Sequence, residues 1–335
     1  MVAPGVTEGM VRRREMVRLM FLAGAAATVG ATSEAGQPTP PIRVGVLLPV
    51  PGNDPFLALL RDGLRGVGWT DDGAFVLEVR QADGTVAAFQ RLGSELAALP
   101  VDVLVTASTA AAKALADVTA TIPIVFVGAF DPVAAGLVAS LEHPGGNLTA
   151  IAGFQADIAA KWVVLLKEIA PAVTRLVIFS NPASVSPAAL AGWKAVASES
   201  ADIGEVHIDT VNDIDRAAAD VAASPHAGMI VVPHTFPFAN RKIVVEAMAK
   251  HRVPAIYGIA EMVRSGGLLS YGQDLGAQWR MAAVYIDKIV WGARPADLPV
   301  QYAKEYKLAI NRGAASALGL AVPKAMIDRA DEVID

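Results

Sequence analysis

Few residues in this chain are equipped for bond-making chemistry, and their spacing argues against it. Cysteine is absent, which removes thiolate nucleophiles, Cys-ligated metals, disulfides and a lipoprotein anchor. The five histidines, His143, His207, His226, His234 and His251, show neither an i, i+4 pair nor metal-ligand spacing. No Gly-x-Ser-x-Gly elbow appears, so a serine hydrolase of that kind lacks its nucleophile turn. Gly145-Gly146 lacks the lysine and the strand-to-helix setting of a phosphate loop, and no Gly-x-Gly-x-x-Gly follows the first apolar run. Asp71-Asp72 reads as a solvent-facing turn. The expectation is a protein that is not an enzyme and carries no cofactor and no metal.

Noncovalent chemistry is better provided for. In open parallel sheets, ligands sit beyond the carboxyl ends of strands, where loops lead into helices. That rule selects Asn53, within Pro49–Asp54 after the first strand, and Ser108 and Thr109 after the third. Their hydroxyls and the unpaired N–H groups of a first helical turn would hold a carboxylate, aided by the helix dipole; Ser and Thr are also ordinary N-caps. Phe130 and Asp131 follow the fourth strand. Asp131 could pair with a ligand ammonium, or simply cap a helix that has Pro132 at its first position. The corresponding positions in the second half are Asn181, then Thr235 and Phe236, then Tyr257. Phe236 and Tyr257 could stack on a ligand body, although aromatics at strand ends also pack between elements. Phe154 and Tyr271 stand near the expected crossovers.

The elements that would position these residues alternate strictly. Ile42–Val50, Phe75–Val79, Val101–Thr106 and Ile122–Val127 read as buried strands, separated by helices over Pro55–Gly68, Val86–Leu99 and Ser108–Val118. His143–Asn147 breaks the rhythm, and Leu148–Gly153 reads as a crossover. The pattern then restarts with helix Ile158–Ile169, strand Arg175–Phe179, helix Ala188–Ser200 and strand Glu205–Asp209. Helix Ile214–Ala223, strand Gly228–Val232, helix Asn240–His251, strands Ala255–Tyr257 and Leu268–Tyr271 and helix Ala277–Val290 follow. Such alternation predicts an α/β protein of two doubly wound parallel-sheet lobes with a ligand cleft between them. The first lobe is expected over 42–150, completed by about 260–300. The second is expected over 151–259, completed by part of 301–335.

Composition agrees. The chain has 335 residues, 53% hydrophobic and 18% charged, with a formal net charge of −5. That suits two apolar cores and gives no basic face for nucleic acid. Arg12, Arg13 and Arg14 precede an uncharged stretch from Leu19 to Ser33. This stretch is shorter than the roughly 20 residues of a membrane span and fits a signal peptide over residues 1–36, cleaved near Val29-Gly30-Ala31 or Ser33-Glu34-Ala35. Arg13-Arg14-Glu15-Met16-Val17-Arg18 is similar to a twin-arginine signal, and Met10 offers a later start. Residues 37–41 read as a linker.

Specific stretches carry a resemblance. They are Thr121–Val127, Asp131-Pro132-Val133, Gly136–Leu141, Pro144–Thr149, Ala255–Tyr257, Gly266–Gly272, Ala296–Gln301, Ala317–Leu320 and Arg329–Ile334. In that order, and over essentially the whole chain, the sequence resembles the ABC transporter substrate-binding proteins of the tryptophan-binding-like group. The resemblance implies the type I periplasmic-binding-protein fold, periplasmic location and a small organic solute held between the lobes. It also implies permease and ATPase partners at the inner membrane, and a monomer is expected. Ala107-Ser108-Thr109 and Pro233-His234-Thr235 depart from the family's usual cleft segments. The expected ligand is therefore an amino acid or a small aromatic or aliphatic carboxylate rather than tryptophan in particular. A ligand-sensing subunit for a membrane signalling protein would look the same in sequence. A transcription-factor core of this fold would carry a helix-turn-helix where the leader stands.

Overall fold

The computed structural model describes residues 41–49, 55–70, 73–129, 131–153, 158–180, 187–208, 210–302 and 304–335. The expected leader, and all of the linker but Pro41, lie outside them. Among the described residues no helix is long and apolar enough to cross a membrane.

The apolar runs form two sheets. The first contains β1 (Ile42–Leu48), β2 (Phe75–Gln81), β3 (Val103–Thr106), β4 (Ile124–Ala129), β5 (Leu148–Ala152) and β11 (Gln301–Tyr302). Its order is β11-β5-β4-β3-β1-β2, and every neighbouring pair is parallel. The second contains β6 (Arg175–Ser180), β7 (Asp202–His207), β8 (Ala227–Val231), β9 (Ala255–Tyr257), β10 (Leu269–Gln273), β12 (Tyr306–Asn311) and β13 (Glu332–Ile334). Its order is β13-β12-β10-β9-β8-β6-β7. Neighbouring residues such as Val46, Leu47 and Leu48 are all fully buried, as expected of strands covered by helices on both faces.

Helices α1 (Pro55–Gly66), α2 (Val86–Ala97), α3 (Thr109–Val118) and α10 (Leu275–Val290) flank the first sheet. The second lobe carries α4 (Ile158–Ile169), α5 (Pro187–Ser198), α6 (Val211–Ala222), α7 (Thr235–Ala239), α8 (Arg241–Lys250), α9 (Ala260–Arg264), α11 (Arg312–Ala317) and α12 (Lys324–Arg329). Their starts follow capping chemistry. Thr85 accepts from the Ala88 N–H at 3.2 Å ahead of α2, and Thr210 with Asp213 forms a capping box at α6.

The chain passes between lobes at three places: after β5, between β10 and α10, and between β11 and β12. The second passage lies at Asp274, not at about 260, because β10 pairs with β9 and α9 packs beside it. Once across, α10 is locked to the first lobe. Trp279, Tyr285 and Ile286 are buried there, each contributing about 1.5–3 kcal/mol. Trp69 Nε1 donates to the buried Asp287 carboxylate at 2.8 Å. Gly63 allows α1 to lie close against α10, since a Cβ there would fall 2.9 Å from Ala283 Cβ. The third passage explains the one antiparallel pairing among the described residues, β10 with β12. β10 leaves the second sheet at the hinge, and β12 enters from the same hinge, so the two must run in opposite directions.

Candidate functional site

The carboxyl ends of the strands in both sheets lead into loops and first helical turns. Ser108 is buried and caps α3, its Oγ accepting from the Ala111 N–H at 3.1 Å; Thr109 is the half-buried first residue of that helix. Asp131 is exposed and held at φ 34°, a left-handed conformation that Asp tolerates better than most residues. Its Oδ1 accepts from the Ala134 N–H at 3.0 Å. Ser108 therefore caps a helix, whereas Asp131 stands before a turn over 132–136 rather than the expected helix, and its Oδ2 is left for another donor. Asn53, Phe130, Phe154 and Asn181 lie outside the described residues, and Thr235 is described only as the first residue of α7.

The aromatic candidates separate. Tyr257 is 1% exposed inside the second lobe's core, where a Cβ at Gly267 would fall 2.6 Å from its ring. Burial raises its hydroxyl pKa far above the ordinary tyrosine value. Phe236 is half-buried against that core, its ring centroid 6.5 Å from that of Phe179. Tyr271 stays half-exposed at the hinge. It stacks on Tyr306 at 5.6 Å, with Lys161 Nζ 5.9 Å from its ring centre.

Several site features escaped the sequence reading. Phe238 on α7 stacks at 5.2 Å on Phe56 of α1, which in turn stacks at 5.4 Å on Trp279 of α10. Phe238 packs against the cores of both lobes, and the Arg241 guanidinium sits 5.3 Å from its ring centre. The lobes thus meet through an aromatic stack. The strand-end rule marks Pro49–Asp54 and Thr235-Phe236, and the stacked rings of Phe56 and Phe238 stand two residues further along in each case.

The second missed feature is a polar chain at the hinge. Gln278 Nε2 donates to Gln273 Oε1 at 2.6 Å, and Gln273 Nε2 donates to the Tyr306 hydroxyl at 3.3 Å. Gln278 is 1% exposed, yet its Oε1 has no hydrogen-bond partner. An unmade bond of this kind costs about 1–3 kcal/mol. Beside it, Asp274 caps α10 through the Ala277 N–H at 3.2 Å and pairs with Lys307 at 3.0 Å. Burial opposes ionisation of Asp274, but the Lys307 ammonium and the N–H groups of the first turn outweigh it and lower its pKa. Tyr302, at the end of β11, has its pKa raised by burial first and by the Asp131 charge second.

The third is His234, between β8 and α7. It is buried, neither ring nitrogen has a partner, and burial alone lowers its pKa to about 3. The imidazole is therefore neutral at physiological pH.

A cavity of about 570 Å³ opens elsewhere, on the second lobe between β6, β7 and α5. Ser180, His207 and Glu205 meet there, with Ser180 Oγ 3.2 Å from His207 Nδ1 and His207 Nε2 3.0 Å from Glu205 Oε1. Ser180 also donates to that same Glu205 oxygen at 3.3 Å and is 1% exposed, so its hydroxyl is occupied and shielded rather than presented as a nucleophile. Among the described residues no group of three or more His, Asp or Glu could hold a metal ion.

Comparison with known proteins places the architecture. Residues 42–334 match a family described as ABC transporter substrate binding protein. A tyrosine-binding protein of Clostridioides difficile (strain R20291) is 24% identical over 265 residues, 77% of this chain and 74% of that protein. An ABC domain from Streptococcus pneumonia, solved in complex with L-Trp, superposes with a TM-score of 0.80 at 26% identity, over 88% of this chain and 99% of that one. A conserved domain protein from Vibrio cholerae gives a TM-score of 0.80 at 28% identity, over 87% and 99% of the two chains.

Proposed function

Since the chain belongs to the ABC transporter substrate binding protein family, we propose that it is the exported solute-binding component of an ABC importer and closes its two lobes around an amino acid. Members of this family bind solutes and are not enzymes. The observation that carries the reading is the lobe-to-lobe geometry. Two sheets are joined by three passages, the Phe56–Phe238 stack joins a helix of each lobe, and the neutral polar side chains of Ser108, His234 and Gln278 lie at the starts of helices that follow strands. Relatives named for tyrosine binding and solved with L-Trp support the amino-acid class.

In this reading the ligand carboxylate meets Ser108, Thr109 and the N–H groups opening α3, where neutral donors avoid the desolvation cost of a buried cation. The ammonium meets Asp131. Asn53, Phe130, Phe154, Asn181, Thr235, Phe236 and Tyr271 are assigned to the ligand body, whereas Tyr257, buried in the second lobe's core, packs behind the site rather than on the ligand. The Arg12–Arg14 leader takes the chain to the periplasm, where the closed monomer docks on the permease served by its ATPase.

A thermal-shift screen of the purified mature chain against amino acids, organic acids and sugars tests the ligand class. A cognate amino acid at a hundredfold excess over Kd adds about 2.7 kcal/mol of stability. Stabilisation by sugars alone would overturn the reading.

A further inference from the structure

Resting on the amino-acid reading above, we infer that Gln278 is a ligand-contacting specificity residue whose side-chain carbonyl accepts a hydrogen bond from the ligand's ammonium group. Three observations converge on it. First, the Gln278 Oε1 is buried and without a partner, although the other end of the same amide is committed to Gln273. Secondly, the unpartnered atom lies against the carboxyl end of the first sheet. A Cβ placed on Gly128 would lie 3.6 Å from it, and Gly128, with φ 75°, is the penultimate residue of β4. No side chain intrudes from that position, and strand ends of this kind are where ligands bind in parallel sheets.

Thirdly, the amide is held from behind. Gln273 anchors it, and Gln273 is anchored in turn by the hydroxyl of Tyr306, which enters from the third passage between lobes. These residues come from α10, β10 and β12, so the chain spans the hinge. Asp131 lies three residues beyond Gly128 and keeps one carboxylate oxygen unused by its cap. An ammonium carries three donors. Asp131 supplies charge and Gln278 supplies direction, which fits a primary ammonium better than a second carboxylate, because the unpartnered Gln278 Oε1 can only accept.

The test compares ligands that differ only at the amino group. Each common L-amino acid is titrated calorimetrically into the wild-type chain, and the tightest binder is compared with the acid of the same side chain lacking the α-amino group, for example L-tyrosine with 3-(4-hydroxyphenyl)propionate. The preference for the amino acid should fall about tenfold in Gln278→Leu, equivalent to about 1.4 kcal/mol. It should hold or rise in Gln278→Glu, which restores an acceptor. Should the leucine variant fail to fold, Gln278→Asn withdraws the same atom by one methylene and should show the same fall. An unchanged preference in the leucine or asparagine variant, or an equal fall in the glutamate variant, overturns this inference and leaves the amino-acid reading standing. A wild-type chain that binds no amino acid overturns both.

Discussion

Acid should destabilise the folded chain through His234, and the size of the effect follows from its surroundings. Burial is the only cause acting on this imidazole, lowering its pKa from 6.5 to about 3. Below pH 6.5 the unfolded chain takes up a proton that the folded chain refuses. The stability contributed by the neutral ring is therefore complete above the unfolded value and is lost as pH falls beneath it. Each pH unit between about 6 and 4 costs up to about 1.4 kcal/mol, so moving from pH 8 to pH 5 removes about 2 kcal/mol. Urea unfolding followed by circular dichroism at the two pH values measures the loss. The same measurement on His234→Phe isolates this residue from the carboxylates, because their contribution is common to both proteins. The variant should lose about 2 kcal/mol less than the wild type over the interval. Equal losses in both proteins would refute the argument, since they would mean that the ring is hydrated or paired in the folded state.

Other perturbations read other parts of the structure. Ser108→Ala with Thr109→Ala should cost about 1 kcal/mol of stability for the lost cap and weaken a carboxylate ligand by about 1–3 kcal/mol; calorimetry that finds only the stability loss would reduce both residues to capping. Gly63→Ala should lower the melting temperature, because the new methyl meets Ala283 at 2.9 Å and overpacking costs about 1–3 kcal/mol; an unchanged melting temperature would mean that α1 and α10 slide apart freely. Phe238→Ala removes an aromatic pair that contributes about 0.5–1.5 kcal/mol, so X-ray scattering of the ligand-free variant should show a larger radius of gyration than the wild type. Identical scattering would show that the stack does not hold the lobes together.

The elements themselves were largely legible, and the reason is burial. Strands covered on both faces read as unbroken apolar runs, so β1 and β6 fall within two residues of their expected ends, and α4 occupies the expected Ile158–Ile169 span. What periodicity does not encode is which sheet a run joins. β10 was expected near the return to the first lobe, but its pairing with β9 keeps it in the second. The α7 turn was hidden by Pro237 between two phenylalanines, a pattern that carries no helical stripe. At the site, the strand-end rule reached Ser108 and Asp131 because a cap and a ligand contact demand the same residue types. It did not reach Gln278, Gln273 or Tyr306, since Gln273 and Tyr306 are 33 residues apart and meet only because the chain passes between lobes twice in that interval.

Those two groups of site residues differ in how far they must travel when the lobes part. Gln273 and Gln278 flank the second passage and lie five residues apart in sequence, so rotation about the hinge moves them little relative to each other. Tyr306 is tied to Gln273 by neighbouring strands of one sheet, through direct register pairing, and moves with it. Phe56 and Phe238 belong to helices of opposite lobes with no passage beside either, so their 5.2 Å stack must break on opening. Opening and closing of the lobes, as proposed, would therefore leave the amide chain intact and make and break the aromatic stack. In the proposed reading, ligand capture by the hinge side comes first and closure of the aromatic side second, because the hinge contacts lie beside a passage between lobes and the stack does not.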